Sequence, residues 1–137
     1  MCIKSVSDNQ DEILSGIIAL HCPDGFECDV TYGNGAFYKN IPKPFYKFDI
    51  DPQSEDVVQA SSVSIPLDSD SVKSVMFDPP FLTYVRAGRE GNGNMIMSNR
   101  FSGYWTYEEL SQHYTATISE VARVLKRKGI FVVKCQD

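Results

Sequence analysis

Residues 72–81 read Val-Lys-Ser-Val-Met-Phe-Asp-Pro-Pro-Phe, and this stretch decides the fold. Its apolar residues do not alternate strictly with polar ones, and three of them are consecutive. This pattern favours a strand buried on both faces of a parallel sheet. Asp78 follows directly, and Pro79 and Pro80 then restrict the backbone and remove two N–H donors before the aromatic ring of Phe81. We therefore predict a buried strand that delivers a carboxylate to the carboxyl end of a sheet.

The elements around this stretch predict an α/β fold. One helix is expected from about Asp8 to His21, and a longer one should begin at the capping box Thr106-Tyr107-Glu108-Glu109 and be closed by Gly129. The segment 53–64 is ambiguous, with one short helix expected. Strands are predicted at 26–32, 46–50, 72–77 and 130–134. The apolar stripe of the long helix should comprise Leu110, Tyr114, Ile118, Val121 and Leu125. Crossover links between such strands predict a parallel sheet sandwiched by helices.

Composition restricts the class of protein. The 137 residues, with 42% apolar content, suit a single domain over 1–137. No basic leader with an apolar core and no membrane-length apolar run is visible, so we expect a cytoplasmic protein without a membrane partner. The cysteines lie far apart and without a histidine cluster, which predicts free buried thiols and no metal. His21 and His113 are interpreted as structural or solvated.

Charge divides the chain into two parts. Residues 1–81 carry 5 Lys and 13 Asp or Glu, a charge of −8, whereas residues 82–137 carry 8 Lys or Arg and 5 acids, a charge of +3. This division suits an enzyme with an acidic cofactor site and a local contact to a polyanion, but charge alone favours a dipolar surface without a partner.

Two further features stand at expected strand ends, where ligands bind in open α/β sheets. Asp29-Val-Thr-Tyr-Gly-Asn-Gly35 places two glycines just after a strand, so the backbone can approach a ligand or simply turn tightly. Asp49 ends the next strand and is placed to accept hydrogen bonds from ribose hydroxyls. Strand alternation puts Asp51 on the same side and Ile50 opposite, which leaves open a polar strand end in which one acid is solvated.

Asp78-Pro79-Pro80-Phe81 suits chemistry on an exocyclic amino group. Such a nitrogen is a poor nucleophile because its lone pair is delocalised into the base. Acceptors from the Asp78 carboxylate and the Pro79 carbonyl would draw on its N–H bonds and favour a tetrahedral, more nucleophilic nitrogen. Phe81 would stack on a base turned out of its helix, an interaction of about 1–3 kcal/mol. The alternative is an ordinary strand end with a Pro-Pro turn.

The tetrapeptide matches, residue by residue, the D/N/S-P-P-Y/F/W motif of the S-adenosylmethionine-dependent amino-methyltransferases, which this chain resembles from about Glu27 to Lys134. The resemblance implies a Rossmann-like parallel sheet of the class I methyltransferase type and S-adenosylmethionine as cofactor. Catalytic roles are implied for Asp78, Pro79, Pro80 and Phe81. Cofactor contacts are implied for Asp29, Thr31, Tyr32, Gly33, Gly35, Asp49 and Ile50, with Ile50 against the adenine.

The chain departs from this family in three respects. Thr31 stands where an aromatic residue is common, and Ser61 where an acid often holds the adenine amino group. The family's sheet has seven strands, whereas this chain ends after what would be the fifth. We expect the last hairpin to be absent from the chain, or the open edge to be completed by a second subunit in a homodimer.

Substrate contact is assigned to residues 82–105, whose glycines and asparagines predict a flexible loop; a disordered insertion is the alternative. Arg86, Arg89 and Arg100 would bind phosphates, and stacking would come from Tyr84, Phe101, Tyr104 and Trp105.

The activity expected from the resemblance is site-specific DNA methylation at adenine N6 or cytosine N4 by direct transfer. No Pro-Cys nucleophile motif is present, which disfavours methylation of cytosine carbon 5. RNA or protein glutamine as substrate, and a catalytically silent cofactor-binding or assembly module, are the alternatives.

Overall fold

A computed structural model of the chain describes residues 2–79 and 106–135. Its strands are β1 (Cys28–Asp29), β2 (Tyr46–Asp49), β3 (Val58–Gln59), β4 (Val72–Phe77) and β5 (Leu125–Val133). Its helices are α1 (Gln10–His21), α2 (Tyr107–Val124) and a 3₁₀ turn (Ala36–Tyr38). All five strands are parallel and form one sheet in the order β3-β2-β1-β4-β5. The parallel sheet expected from the sequence is confirmed.

Strand β1 is central although it contains only two residues. The backbone continues its hydrogen bonds to both neighbours beyond these limits: Val30 N–H donates to the Met76 carbonyl and Tyr32 N–H to the Phe48 carbonyl, at 3.2 and 3.0 Å. The predicted segment 26–32 is therefore hydrogen-bonded to both neighbours, but only Cys28–Asp29 has regular strand geometry. The chain then leaves the sheet for the turn at Gly33 and Gly35, which we call the glycine turn. At this level β2 and β4 still lie on either side of it.

Two apolar cores lie on opposite faces of the sheet. In β4, Met76 belongs to one core, whereas its neighbours Val75 and Phe77 belong to the other, as alternation along a strand requires. Helix α1 packs its buried Leu14 and Ile18 into the Met76 core. Helix α2 packs Val121 and Val124 into the Val75–Phe77 core. The helices thus cover the two faces of the sheet, as predicted for a sandwich.

Each of the two helices begins directly after a residue whose side chain caps it. Asn9 caps α1 by accepting hydrogen bonds from the amides of Asp11 and Glu12, so this helix starts two residues after the predicted Asp8. The predicted capping box at the start of α2 is present: Thr106 Oγ1 accepts from the Glu109 amide at 3.1 Å, and the Glu109 carboxylate accepts from the Thr106 amide at 3.2 Å.

The predicted apolar stripe of α2 was wrong at two positions, Ile118 and Leu125, since Leu125 lies in β5 beyond the end of the helix. Thr117 is fully buried, whereas Ile118 is 52% exposed. Thr117 is accepted in the core because its hydroxyl lies 2.7 Å from the Ser62 hydroxyl, which satisfies both polar groups. The buried face therefore follows Leu110, Thr117, Val121 and Val124, with Tyr114 half-buried.

Two other predictions of elements were wrong. The segment 53–64 contains strand β3 rather than a helix; β3 pairs for only two residues, too few to give a periodic signal. Gly129 does not close α2, because the helix ends at Val124 and Leu125 already pairs with Val72. Gly129 lies inside β5, after which Ile130 pairs with Ser74.

Several expectations lie outside the described residues: the loop at 82–105 and the predicted site residues Pro80, Phe81, Tyr84, Arg86, Arg89, Arg100, Phe101, Tyr104 and Trp105. Within the described ranges, no helix is both long and apolar enough to cross a membrane. The four cysteines are free thiols, of which Cys22 and Cys28 are buried as expected, whereas Cys2 and Cys135 are exposed. The single domain over 1–137 stays a prediction.

Candidate functional site

The carboxyl ends of β2, β1 and β4 lie side by side and carry Asp49, Asp29 and Asp78. The chain order reverses at β1, because β2 and β3 lie on one side of it and β4 and β5 on the other. Such a reversal opens a crevice outside the carboxyl ends of the two central strands, and open α/β sheets bind their ligands there. The three strand-end features singled out in the sequence are thus brought to one edge of the sheet.

Asp29 is a buried carboxylate held by two neighbours. Its Oδ1 accepts from the Thr31 amide at 2.7 Å and from the Thr31 hydroxyl at 3.2 Å, and its Oδ2 accepts from the Tyr38 hydroxyl. Burial raises the pKa of Asp29 to about 7; the nearby charge of Asp78 also raises it, and the three hydrogen bonds oppose the change. The pKa of Tyr38 is raised by burial and by the Asp29 charge. Asp29 therefore exchanges its proton near neutral pH.

Thr31 joins the Asp29 segment to the strand end of β4. Its hydroxyl oxygen accepts from the Asp78 amide at 2.7 Å while the same hydroxyl donates to Asp29. A hydroxyl can donate and accept at once, which a purely hydrocarbon side chain could not. Thr31 thus fixes the backbone of Asp78 against the glycine turn.

The glycine turn has the left-handed backbone that its sequence predicts. Gly33 and Gly35 have φ angles of 65° and 80°. The Gly33 amide donates to Asp49 Oδ2 at 2.7 Å, which ties the turn to β2. A Cβ at position 35 would lie 2.7 Å from the Tyr32 hydroxyl oxygen, since Tyr32 folds back beneath the turn. The Tyr32 ring stacks on that of Tyr38 at 5.4 Å, so the turn rests on two aromatic rings.

The end of β2 separates its two acids. Asp49 is 1% exposed, and its second oxygen accepts from the Asp51 amide at 2.9 Å, so this carboxylate organises the backbone. Asp51 is exposed, and so is Ile50, at 46% of its surface. The predicted solvated acid is therefore Asp51. Ile50 presents an apolar surface at the sheet edge.

Asp78 is partly exposed and faces a lysine. Lys134 Nζ lies 3.8 Å from Asp78 Oδ2, and the side chains of Lys134 and Asp78 are 40% and 28% exposed. The Lys134 ammonium also lies 5.8 Å from the centroid of the Phe37 ring. Pro79 is buried. The half of the predicted tetrapeptide that the structure describes is therefore a partly exposed carboxylate, whose backbone amide is held by Thr31, followed by a buried proline.

Sequence reasoning missed Tyr38 and Lys134. Tyr38 stands three residues after Gly35, and only the 3₁₀ turn brings its hydroxyl back to Asp29. Lys134 follows β5 directly, and its amide donates to the Phe77 carbonyl at 3.0 Å. A signal for Lys134 was present, because every residue after a parallel strand comes to the same edge of the sheet.

The two histidines are not part of this edge. Burial lowers the pKa of His113, whose Nε2 lies 3.2 Å from the Ser62 hydroxyl, and its ring packs beside Phe77. His21 is exposed at the end of α1. Among the described residues, no group of three or more His, Cys, Asp or Glu side chains is arranged to hold a metal ion.

Comparisons with known proteins do not identify a family. No protein-family model matches the chain, and no curated protein is significantly similar to it. The case for function therefore depends on the residues at the carboxyl edge of the sheet and on their geometry.

Proposed function

We propose that this chain binds S-adenosylmethionine at the crevice beside β1 and transfers the methyl group to an exocyclic amino group of a nucleic-acid base, adenine N6 or cytosine N4. The observation that carries the proposal is the hydrogen bond from the Asp78 amide to Thr31 Oγ1, at 2.7 Å. It joins a glycine turn suited to a nucleoside cofactor directly to a strand end suited to activating an amino group. DNA is the preferred substrate class, with RNA and protein glutamine as alternatives.

The residues present fit the cofactor in shape and in charge. A sulfonium cofactor is cationic, and this edge carries the exposed carboxylate of Asp51 and the partly exposed carboxylate of Asp78. The left-handed turn at Gly33 and Gly35 allows close backbone approach to a ligand. Ile50 offers an apolar surface to the adenine ring, and the exposed Asp51 is placed to accept from ribose hydroxyls, whereas Asp49 supports the turn from below.

The bound cofactor supplies an electrophilic methyl group. Asp78 and the Pro79 carbonyl accept hydrogen bonds from the amino group of the base and orient its lone pair towards that methyl group. Lys134 Nζ lies 3.8 Å from Asp78 Oδ2, so its positive charge faces this carboxylate. Thr31 fixes the backbone from which Asp78 extends. Much of the rate enhancement expected here comes from positioning, since well-oriented reactants avoid a large entropic barrier.

Calorimetric titration of S-adenosylmethionine and of its demethylated product tests the proposal. Gly35→Ala and Gly25→Ala form a matched pair, because both glycines have positive φ, 80° and 85°, but lie at opposite ends of the sheet. A Cβ at position 35 would meet Tyr32, and one at position 25 would meet Pro42 at 3.2 Å. We expect binding by the wild type and by Gly25→Ala, and at least tenfold weaker binding by Gly35→Ala.

Absence of binding to the wild-type protein would overturn the proposal. Equal losses in the two variants would show that backbone strain, and not the turn, controls affinity. Cofactor binding without methyl transfer to DNA, RNA or glutamine peptides would instead identify the catalytically silent module. Completion of the sheet edge by a second subunit stays a separate prediction, which light scattering tests.

A further inference from the structure

A cleft of about 640 Å³ opens at the amino end of the sheet, opposite the carboxyl edge described above. Its walls are the segment between α1 and β1, the approach to β2, the start of β4 and the first part of β5. We call it the amino-end cleft and define it by Lys43, Phe45, Lys73, Lys126, Arg127 and Lys128. Its volume lies within the range of ligand-binding clefts, roughly 300–1,000 Å³.

Positive charge is concentrated in this cleft although the chain as a whole carries −5. Five cations line it, against the two acids Asp24 and Glu27. Glu27 is already engaged, since its carboxylate accepts from the Lys73 amide at 2.6 Å. Within residues 2–79 and 106–135, none of the five cations forms an ion pair. Their charge is therefore left for a ligand.

Three of the cations are held by a tight turn rather than by a loose loop. Val72 pairs with Leu125 and Ser74 with Ile130, so Lys126–Gly129 bulges out of β5. Lys128 has a φ of 66°, which non-glycine residues rarely adopt. A Cβ on Gly129 would lie 2.8 Å from the Lys126 carbonyl oxygen. The backbone of this turn is thus closely packed.

An exposed aromatic ring stands beside the cations. The Phe45 side chain is 81% exposed. Its ring packs edge-to-face with the Tyr46 ring, with the two centroids 4.8 Å apart and an interplanar angle of 83°. Most of the Phe45 ring is therefore open to stacking. Cations that track phosphates together with an aromatic ring that stacks on bases are the combination that binds single-stranded nucleic acids.

We propose that the amino-end cleft binds a single-stranded nucleic acid, with phosphates on Lys126, Arg127 and Lys73 and one base stacked on Phe45. The site is separate from the proposed methyl-transfer site, because the six residues of β4 place about 20 Å between the two ends of the sheet. The inference does not require methyl transfer. It assigns nucleic-acid binding to described residues that the sequence interpretation left unused.

Fluorescence anisotropy with a labelled 12-nucleotide oligothymidylate tests this site. The variant Lys126→Glu/Arg127→Glu should weaken binding at least tenfold, and Phe45→Ala roughly 5- to 100-fold through lost stacking. The matched control is Lys4→Glu/Lys39→Glu, which changes the net charge by the same amount away from the cleft and should change affinity less than threefold. The wild-type association constant should fall steeply with salt, by a log–log slope near −0.7 for each phosphate bound.

The inference is overturned if the wild type does not bind the oligonucleotide, or if the two double variants lose affinity equally. Equal affinity for polyglutamate would also overturn it, because the cleft would then accept any acidic polymer. The Gly35→Ala variant should lose affinity for the cofactor and keep its affinity for the oligonucleotide. A protein that binds the oligonucleotide but not the cofactor would therefore refute the proposed function and leave this inference standing.

Discussion

The two ends of the parallel sheet use charge in opposite ways. At the carboxyl end, Asp29 and Asp49 are 2% and 1% exposed and are bonded to the backbone and hydroxyl groups of the glycine turn. At the amino end, the cations of the cleft are exposed and form no ion pair with described residues. Buried charge at one end shapes a backbone, whereas exposed charge at the other is left to attract a ligand.

This difference follows from the geometry of parallel strands. Every strand leaves the sheet at the same edge, so side chains from distant parts of the sequence meet there and must satisfy one another when they are buried. At the opposite edge the chain enters the strands from surface turns, and long cationic side chains remain in water. Charge in the sequence therefore indicates a binding function only after its burial is known.

Among the substitutions that test this difference between the two ends, the largest effect is expected at Asp78. Asp78→Ala removes the one partly exposed carboxylate of the three and should lower methyl transfer at least 100-fold, because an acceptor for the amino group is lost. Calorimetry on the same variant should show cofactor affinity within threefold of the wild type, because Asp78 is assigned to the amino group. Asp78→Asn retains one acceptor oxygen and should therefore lose less methyl-transfer activity than Asp78→Ala. Unchanged turnover in Asp78→Ala would contradict the catalytic assignment.

The next effect concerns the buried carboxylate Asp29. Its folded pKa of about 7 lies above the ordinary 3.8, so the folded state holds this proton more tightly than the unfolded state. The stability linked to this proton is complete below pH 3.8 and is lost as the pH rises through 7. Asp29→Asn stays neutral, so its stability relative to the wild type should rise by about 2–3 kcal/mol between pH 5 and pH 8.5.

Urea unfolding of the wild type and Asp29→Asn at both pH values measures this effect. Other titrating groups cancel in the comparison, because both proteins contain them. Parallel pH profiles would mean that Asp29 remains ionised throughout, and that the carboxyl edge is as strongly charged as its sequence implies.

A smaller effect is expected at Thr31. Thr31→Val keeps the shape of the side chain but removes the acceptor for the Asp78 amide and the donor to Asp29, which should cost about 1–3 kcal/mol of stability. Hydrogen exchange at the Asp78 amide should become faster relative to its neighbours. Thr31→Ser keeps the hydroxyl and should restore slow exchange. Fast exchange in Thr31→Ser would instead show that packing of the threonine methyl group, and not the hydrogen bond, fixes Asp78.

The smallest effect sharpens the contrast between the two ends. Because the acids at the carboxyl end are mostly buried, cofactor affinity should change less than about threefold between 50 and 300 mM salt. Oligonucleotide affinity should fall by more than tenfold over the same range. Calorimetry and anisotropy on one protein preparation measure both. A steep salt dependence of cofactor binding would place its main contacts on exposed charges such as Asp51.

Much of the fold could be predicted because local signals were strong. The buried strand before Asp78 and the capping box at Thr106 were placed correctly, since each depends on neighbouring residues alone. Strand β3 and the start of β5 could not be predicted in this way. Val58 is 54% exposed and pairs only because β2 lies beside it, and Leu125 becomes a strand residue only through Val72.

The candidate site shows the same difference between features set by neighbouring residues and features set by long-range pairing. That acids and glycines follow strands was predictable from the sequence, because apolar runs and turn residues are local signals. The contacts of Asp49 with the glycine turn, of Thr31 with the Asp78 amide and of Tyr38 with Asp29 became visible only in the folded chain. These partners lie 16, 47 and 9 residues apart. Pairing at such separations is set by strand order and burial, which no local pattern encodes.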